Sequence, residues 1–157
     1  MKYLRRIFES LDRKGELQDL CDSYFAYLYD EGFEVKIAKD VVVWTIIINK
    51  PNTDGAAYYF SWDEVKDYLI PFFEKLLIAE DLFTNSVVRT GILLKYIKPK
   101  HIYDNTWYKY PSAYDTKIFQ PTRRQIIDDQ ISNDPSTIHH NWNCMEYLYE
   151  INIMIKE

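Results

Sequence analysis

Glycine is scarce: 4 in 157 residues, about 2.5% against a usual value of about 7%. Gly15, Gly32, Gly55 and Gly91 stand too far apart for a phosphate-cradling loop of the GxGxxG or GxxxxGK type, which excludes nucleotide binding of those kinds. Cysteine is scarcer still. Cys21 and Cys144 alone rule out a disulfide framework or a four-thiolate zinc site within one chain, and both read as buried thiols in a reducing compartment. No run approaches the ~18 apolar residues of a membrane span; the longest, Val41 to Ile48, is interrupted by Thr45 and has the length of a strand. Met1 to Leu11 carries Lys2, Arg5 and Arg6 without the apolar stretch or small-residue cleavage site of a secretory signal. A soluble chain with no membrane partner is expected.

Aromatic residues are in surplus: 14 Tyr, 8 Phe and 4 Trp make up 17% of the chain. With 47% apolar residues, 27% charged and a net charge of -5, the composition is that of a folded protein, and its length suits one domain over 1–157.

Periodicity outlines the fold. Leu4, Ile7, Phe8 and Leu11 follow helical spacing, ending before Gly15. A second helix is expected from Glu16 to Asp30, with Leu17, Leu20, Cys21, Tyr24 and Leu28 on one face and Gly32 as its stop. Phe33, Val35 and Ile37 alternate with Glu34 and Lys36, as in a strand with one buried face. Beyond a tight connection near Lys39-Asp40, Val41 to Asn49 is apolar on both faces and reads as a central strand covered on both sides. Ser61-Trp62-Asp63-Glu64 predicts a capping box, with Phe60 and Val65 as its hydrophobic staple. The helix that follows carries Val65, Tyr68, Leu69, Phe72, Phe73 and Leu76 toward the core, and Pro71 is expected to kink it. Ser86 to Ile97 and Tyr147 to Lys156 read as two more strands, and Thr122 to Ile131 as one short helix.

The expected class is α+β: an antiparallel or mixed sheet of about four strands, helices packed on one face, and a long irregular excursion before the last strand. That excursion, 98–144, holds Pro99, Pro111, Pro121 and Pro135, and segments this long inside a compact domain are usually functional.

Ala26-Tyr27-Leu28 leading into Asp30-Glu31-Gly32-Phe33-Glu34-Val35, an isoleucine-rich strand ending in Lys50, and Phe60-Ser61-Trp62-Asp63-Glu64-Val65-Lys66-Asp67 followed by Ile70-Pro71-Phe72 together resemble small uncharacterised proteins of large tailed bacteriophages. The resemblance covers roughly residues 1–80. It implies location in the host-cell cytoplasm or the virion and assigns no residue a role. The segment after Lys98 departs from the pattern, so a specialised role is expected there.

Chemistry-bearing clusters are few. His139, His140 and Cys144, with Asp128, Asp129 and Asp134 upstream, have metal-ligand character but match no zinc spacing, and adjacent histidines in extended chain point to opposite sides. His101 and Asp104 form a potential acid–base pair with no nucleophile motif nearby. Asp63, Asp67 and Glu74 share a helix face that could invite a divalent cation, although Lys66 and Lys75 intersperse it as on an ordinary solvated surface. No catalytic residue, metal or cofactor is therefore expected.

Charge is segregated. Residues 1–14 carry net +3, residues 97–124 net +4 and the remainder net -12. In the second basic segment Tyr103, Trp107, Tyr108, Lys109, Tyr110, Tyr114, Lys117, Arg123 and Arg124 form the expected partner-binding set. Tyrosine and tryptophan supply large rigid contact areas with polar tips, as protein interfaces require. The first expectation is thus a non-enzymatic phage-type accessory or virion structural protein acting through protein–protein contacts. Basic side chains beside aromatic faces also suit single strands, so nucleic-acid binding through 98–124 is the alternative, and a metal-dependent hydrolase using His139, His140 and Cys144 is a second.

Overall fold

Two hydrogen bonds end the first helix. α1 spans Arg13–Asp30; the Phe33 amide donates to the Leu28 carbonyl at 2.9 Å and the Gly32 amide to that of Tyr29 at 3.1 Å. This is a Schellman stop, with Gly32 at φ +88° and Phe33 and Leu28 both buried. The helix buries Leu17, Leu20, Cys21, Phe25 and Leu28. Tyr24, expected in that stripe, is half-buried and meets the Phe72 ring edge-on at 5.6 Å. The helix bends at Phe25 (φ -111°, ψ 15°).

The computed structural model describes residues 13–41, 43–51, 59–82, 89–97, 116–139 and 142–156. The helix expected over Leu4–Leu11 lies outside them, as do residues 98–115.

β1 (Glu34–Asp40) and β2 (Val43–Asn49) form a hairpin in which Asp40 pairs with Val43. Val41 in its turn has φ +36° and is 84% exposed. That region of backbone space crowds a β-branched side chain and gives it nothing to bury.

α2 spans Trp62–Leu82 and buries Trp62, Val65, Leu69, Phe72 and Phe73. Its cap is half of the expected box. The Ser61 amide donates to Glu64 Oε2 at 2.7 Å, whereas the Glu64 amide bonds to the Ser61 carbonyl at 3.2 Å. The 21-residue helix continues through Pro71, which stands exposed, where water can serve the Asp67 carbonyl deprived of its amide partner.

The remaining elements are β3 (Arg89–Ile97), β4 (Thr116–Phe119), α3 (Arg123–Ile127), 3-10 turns at Ile131–Asn133 and Pro135–Thr137, β5 (Ile138–His139), β6 (Trp142–Asn143), a 3-10 turn at Cys144–Glu146, and β7 (Leu148–Lys156). The α+β architecture is as expected. The sheet has five strands, the additional one being β4, and is antiparallel throughout in the order β1-β2-β7-β3-β4. From Thr116 onward the expected excursion is built of short elements.

β7, last in sequence, lies at the centre of the sheet. Rows Ile46–Ile153–Ile92 and Ile48–Ile151–Leu94 cross three strands on one face, every member buried. α1 packs on α2 and β1, and α2 on β3 and α3, so both long helices are engaged by the same core. The opposite face is only half-buried, including Val43, Thr45, Ile47, Leu93 and Met154. The cover expected on both sides of β2 is thus not equal, because its alternation divides a core face from a half-exposed one. A Lys95–Glu150 ion pair at 2.5 Å crosses this second face between β3 and β7. No helix among the described residues is long and apolar enough to cross a membrane.

Candidate functional site

A register shift between Lys95 and Tyr96 ends the regular pairing of β3 with β7, and Tyr96 then pairs with Leu148. Such bulges re-aim side chains. Here Tyr96 and Ile97 are both buried, and Tyr96 joins a set of rings from four separate segments. Its ring centroid lies 6.4 Å from that of His139 and 6.4 Å from that of Trp142. His139 and Trp142, register partners in the β5–β6 ribbon, are 5.6 Å apart. Trp142 meets Tyr147 at 5.8 Å, and Tyr147 meets Tyr59 at 5.6 Å. The result is a continuous row Tyr59–Tyr147–Trp142–His139–Tyr96.

Backbone pairing sets the near end of the row. The Phe60 amide donates to the Leu148 carbonyl at 2.8 Å and the Leu148 amide returns to Phe60 at 2.9 Å, which places Tyr59 and Tyr147 side by side. Asn143 shapes the middle by accepting from the Met145 amide at 2.9 Å and donating to the Ser132 carbonyl at 3.2 Å. Tyr59, Trp142 and Tyr147 are half-buried and His139 is exposed. Burial pushes the Cys144 thiol up to about 12, so it stays protonated near neutral pH. The Tyr96 phenol is raised too, by burial first and by neighbouring Cys144 second.

Beside the row is a polar cleft of about 260 Å³, lined by the start of α2 and the turns after α3. Its anchor is Asp129. Gln130 donates to the Gln125 carbonyl at 2.8 Å and Asp129 to that of Ile126 at 3.2 Å, the bonding pattern that stops α1, but with aspartate in the place glycine usually takes. Asp129 sits at φ +51°, a conformation Asp tolerates better than most residues. Its carboxylate offsets the strain: Oδ1 accepts from the buried Trp62 indole N–H at 3.0 Å and Oδ2 from Lys66 Nζ at 3.0 Å. Lys66 also reaches Asp63 at 3.2 Å. Hydrogen bonding to Asp129, then to Asp63, holds the lysine above its ordinary pKa, so it remains cationic.

Five further hydrogen bonds stiffen this region. Thr122 and Gln125 form a complete capping box, with the Thr122 hydroxyl accepting from the Gln125 amide at 3.2 Å and Gln125 Oε1 accepting from the Thr122 amide at 2.8 Å. Gln125 Nε2 donates to Asp134, whose other oxygen accepts from the Ser136 amide and hydroxyl at 2.8 and 2.5 Å. The Ser136 hydroxyl first, and its amide second, hold the Asp134 carboxyl below the usual range.

Of the expected partner-binding residues, Tyr103, Trp107, Tyr108, Lys109, Tyr110 and Tyr114 lie outside the described residues. Lys117 is exposed on β4, in register with Tyr96. Arg123 opens α3, and Arg124 pairs with Asp128 at 3.7 Å. His140, His101 and Asp104 are also outside the described residues. His139 and Cys144 divide between an exposed ring stack and a buried thiol, and Asp67 and Glu74 are exposed on α2. No three His, Cys, Asp or Glu side chains among the described residues are grouped to hold a metal. Sequence reasoning missed the ring row and the cleft; the sole local sign was Asp128-Asp129 closing a short amphipathic run. No family model, curated protein or solved structure matches the chain.

Proposed function

We propose that this protein is a non-enzymatic accessory component that works by contact with another protein, of the phage type its resemblance implies, in the host cytoplasm or the virion. The observation that carries the reading is the ring row: Tyr59, Tyr147, Trp142 and His139 stay partly open to solvent while packed on one another. Rings already held in place lose little conformational freedom on binding and bury a large area, which favours them as anchors of protein contacts. The test is co-purification of partners from cells producing the tagged chain, comparing wild type with Trp142→Ala, Trp107→Ala and Tyr108→Ala. Loss of a reproducible protein partner in at least one variant, with little dependence on salt, is expected; unchanged capture in all three overturns the reading.

Lys117 beside Tyr96 favours a second reading, stacking of single-stranded bases along the row with phosphates on nearby cations. It requires binding of labelled oligothymidylate that falls steeply with salt. No binding at low salt removes it.

A further inference from the structure

The ring row and the polar cleft draw on neighbouring residues of the same short stretches of chain. Tyr59 is two residues from Ser61 and three from Trp62; Trp142 adjoins Asn143; Tyr147 adjoins Glu146. In each case the first residue belongs to the row and the others line the cleft. Asp63, Asp129 and Glu146 line the cleft together with one cation, Lys66. Lys66 is neutralised where it stands, held by Asp129 at 3.0 Å and Asp63 at 3.2 Å. Asp63 keeps its side chain 78% exposed and Glu146 is exposed as well. α1 and α2, the latter including Asp63, together carry a net charge of -6.

From this placement we infer that the row and the cleft receive an arginine-rich segment of a partner protein. The inference rests on the contact role proposed above and names the partner's chemistry. A guanidinium can lie flat on a ring and still donate in its plane to a carboxylate; the chain neighbours Tyr147 and Glu146 supply one of each, and Trp142 extends the ring surface. A lysine ammonium makes the charge contact without the stacked plane. At about 260 Å³ the cleft falls below the ~300–1,000 Å³ of small-molecule sites, and its size suits the side chains of a bound segment. Phosphate is the wrong occupant, because Asp63 and Glu146 would face it.

The probe is a fluorescein-labelled decapeptide of alternating arginine and glycine, titrated against the full chain by polarisation, beside its lysine and glutamate counterparts and a labelled oligothymidylate. The arginine peptide is expected to bind at low micromolar to submillimolar Kd, the lysine peptide more weakly and the glutamate peptide not at all. Glu146→Gln and Trp142→Ala should each weaken the arginine peptide by roughly tenfold, while Trp142→Phe, which keeps a ring, stays within about threefold. Thermal melts of each variant confirm that the fold survives. Equal affinity of wild type, Glu146→Gln and Trp142→Ala overturns the inference, as does absence of arginine-peptide binding. Oligothymidylate binding that Glu146→Gln strengthens overturns it too, and gives the row to nucleic acid. If native partner capture still depends on Trp142 while the arginine peptide fails, the contact role stands and only the partner chemistry is wrong.

Discussion

Two sets of rings in this molecule have the same chemistry and opposite environments. Phe25, Phe60, Phe72 and Phe73 are fully buried, with Phe25 and Phe72 centroids 4.7 Å apart and Phe33 edge-on to Phe60 at 5.0 Å. Tyr59, Tyr147, Trp142 and His139 pack on one another at 5.6–5.8 Å and remain partly open. The rings of this first set are phenylalanines with no polar atom to satisfy, and the buried Trp62 indole N–H elsewhere in the core is satisfied by Asp129. The row is made of residues with a polar tip, which suits a border between protein and water. An aromatic surplus is therefore two separate facts, a core filled with rings and a surface tiled with them.

Truncating one ring from each set tests that division most strongly. Phe72→Ala should cost about 3–5 kcal/mol, because it opens a cavity under α1 and α2. Trp142→Ala should cost about 1–2 kcal/mol, since half-buried rings lose less. Denaturant unfolding followed by circular dichroism measures both, and comparable losses would erase the distinction. Next in size is the link between α2 and the turn after α3. Asp129→Ala leaves the buried Trp62 indole N–H without its acceptor and should cost about 1–3 kcal/mol. Asp129→Gly suits φ +51° and also removes the carboxylate; if it proved as stable as wild type, backbone strain rather than hydrogen bonding would govern the site. The smallest effect is a gain. Val41→Asn, in a turn at φ +36° with nothing buried, should stabilise by about 0.5–1 kcal/mol, read as a raised melting temperature. A loss there would mean that Val41 makes contacts its exposure does not reveal.

Much of the frame was legible in residue order. The α1 stop at Gly32, the burial of Phe60 and Val65 around the start of α2 and the buried alternation of Ile151, Ile153 and Ile155 all follow from neighbours a few positions apart. Pro71 was legible as a residue, while the continuation of the helix through it depends on whether water can reach the freed carbonyl. Ser61 misled in part: the spacing to Glu64 predicted the reciprocal pair, and one carboxylate bond with a backbone turn formed instead. The complete capping box stands at Thr122 and Gln125, at the start of the short helix expected over Thr122 to Ile131, which ends earlier, at Ile127.

Residue order alone was enough for the elements that solve their problems locally: helix stops, caps, the apolar stripe of α2 and the alternating rows of the sheet. These depend on periods of 2 and 3.6 residues, which any short window displays. The ring row and the Trp62–Lys66–Asp129 cluster needed the folded chain. Their members come from positions 59, 96, 139, 142 and 147 in one case and 62, 66 and 129 in the other, with no period linking them. β7 crossing to the centre of the sheet brings Tyr147 beside Tyr59, and the bulge at Tyr96 brings β3 to the β5–β6 ribbon. Contacts between distant segments are set by which backbone edges pair, and no local pattern of side chains carries that choice.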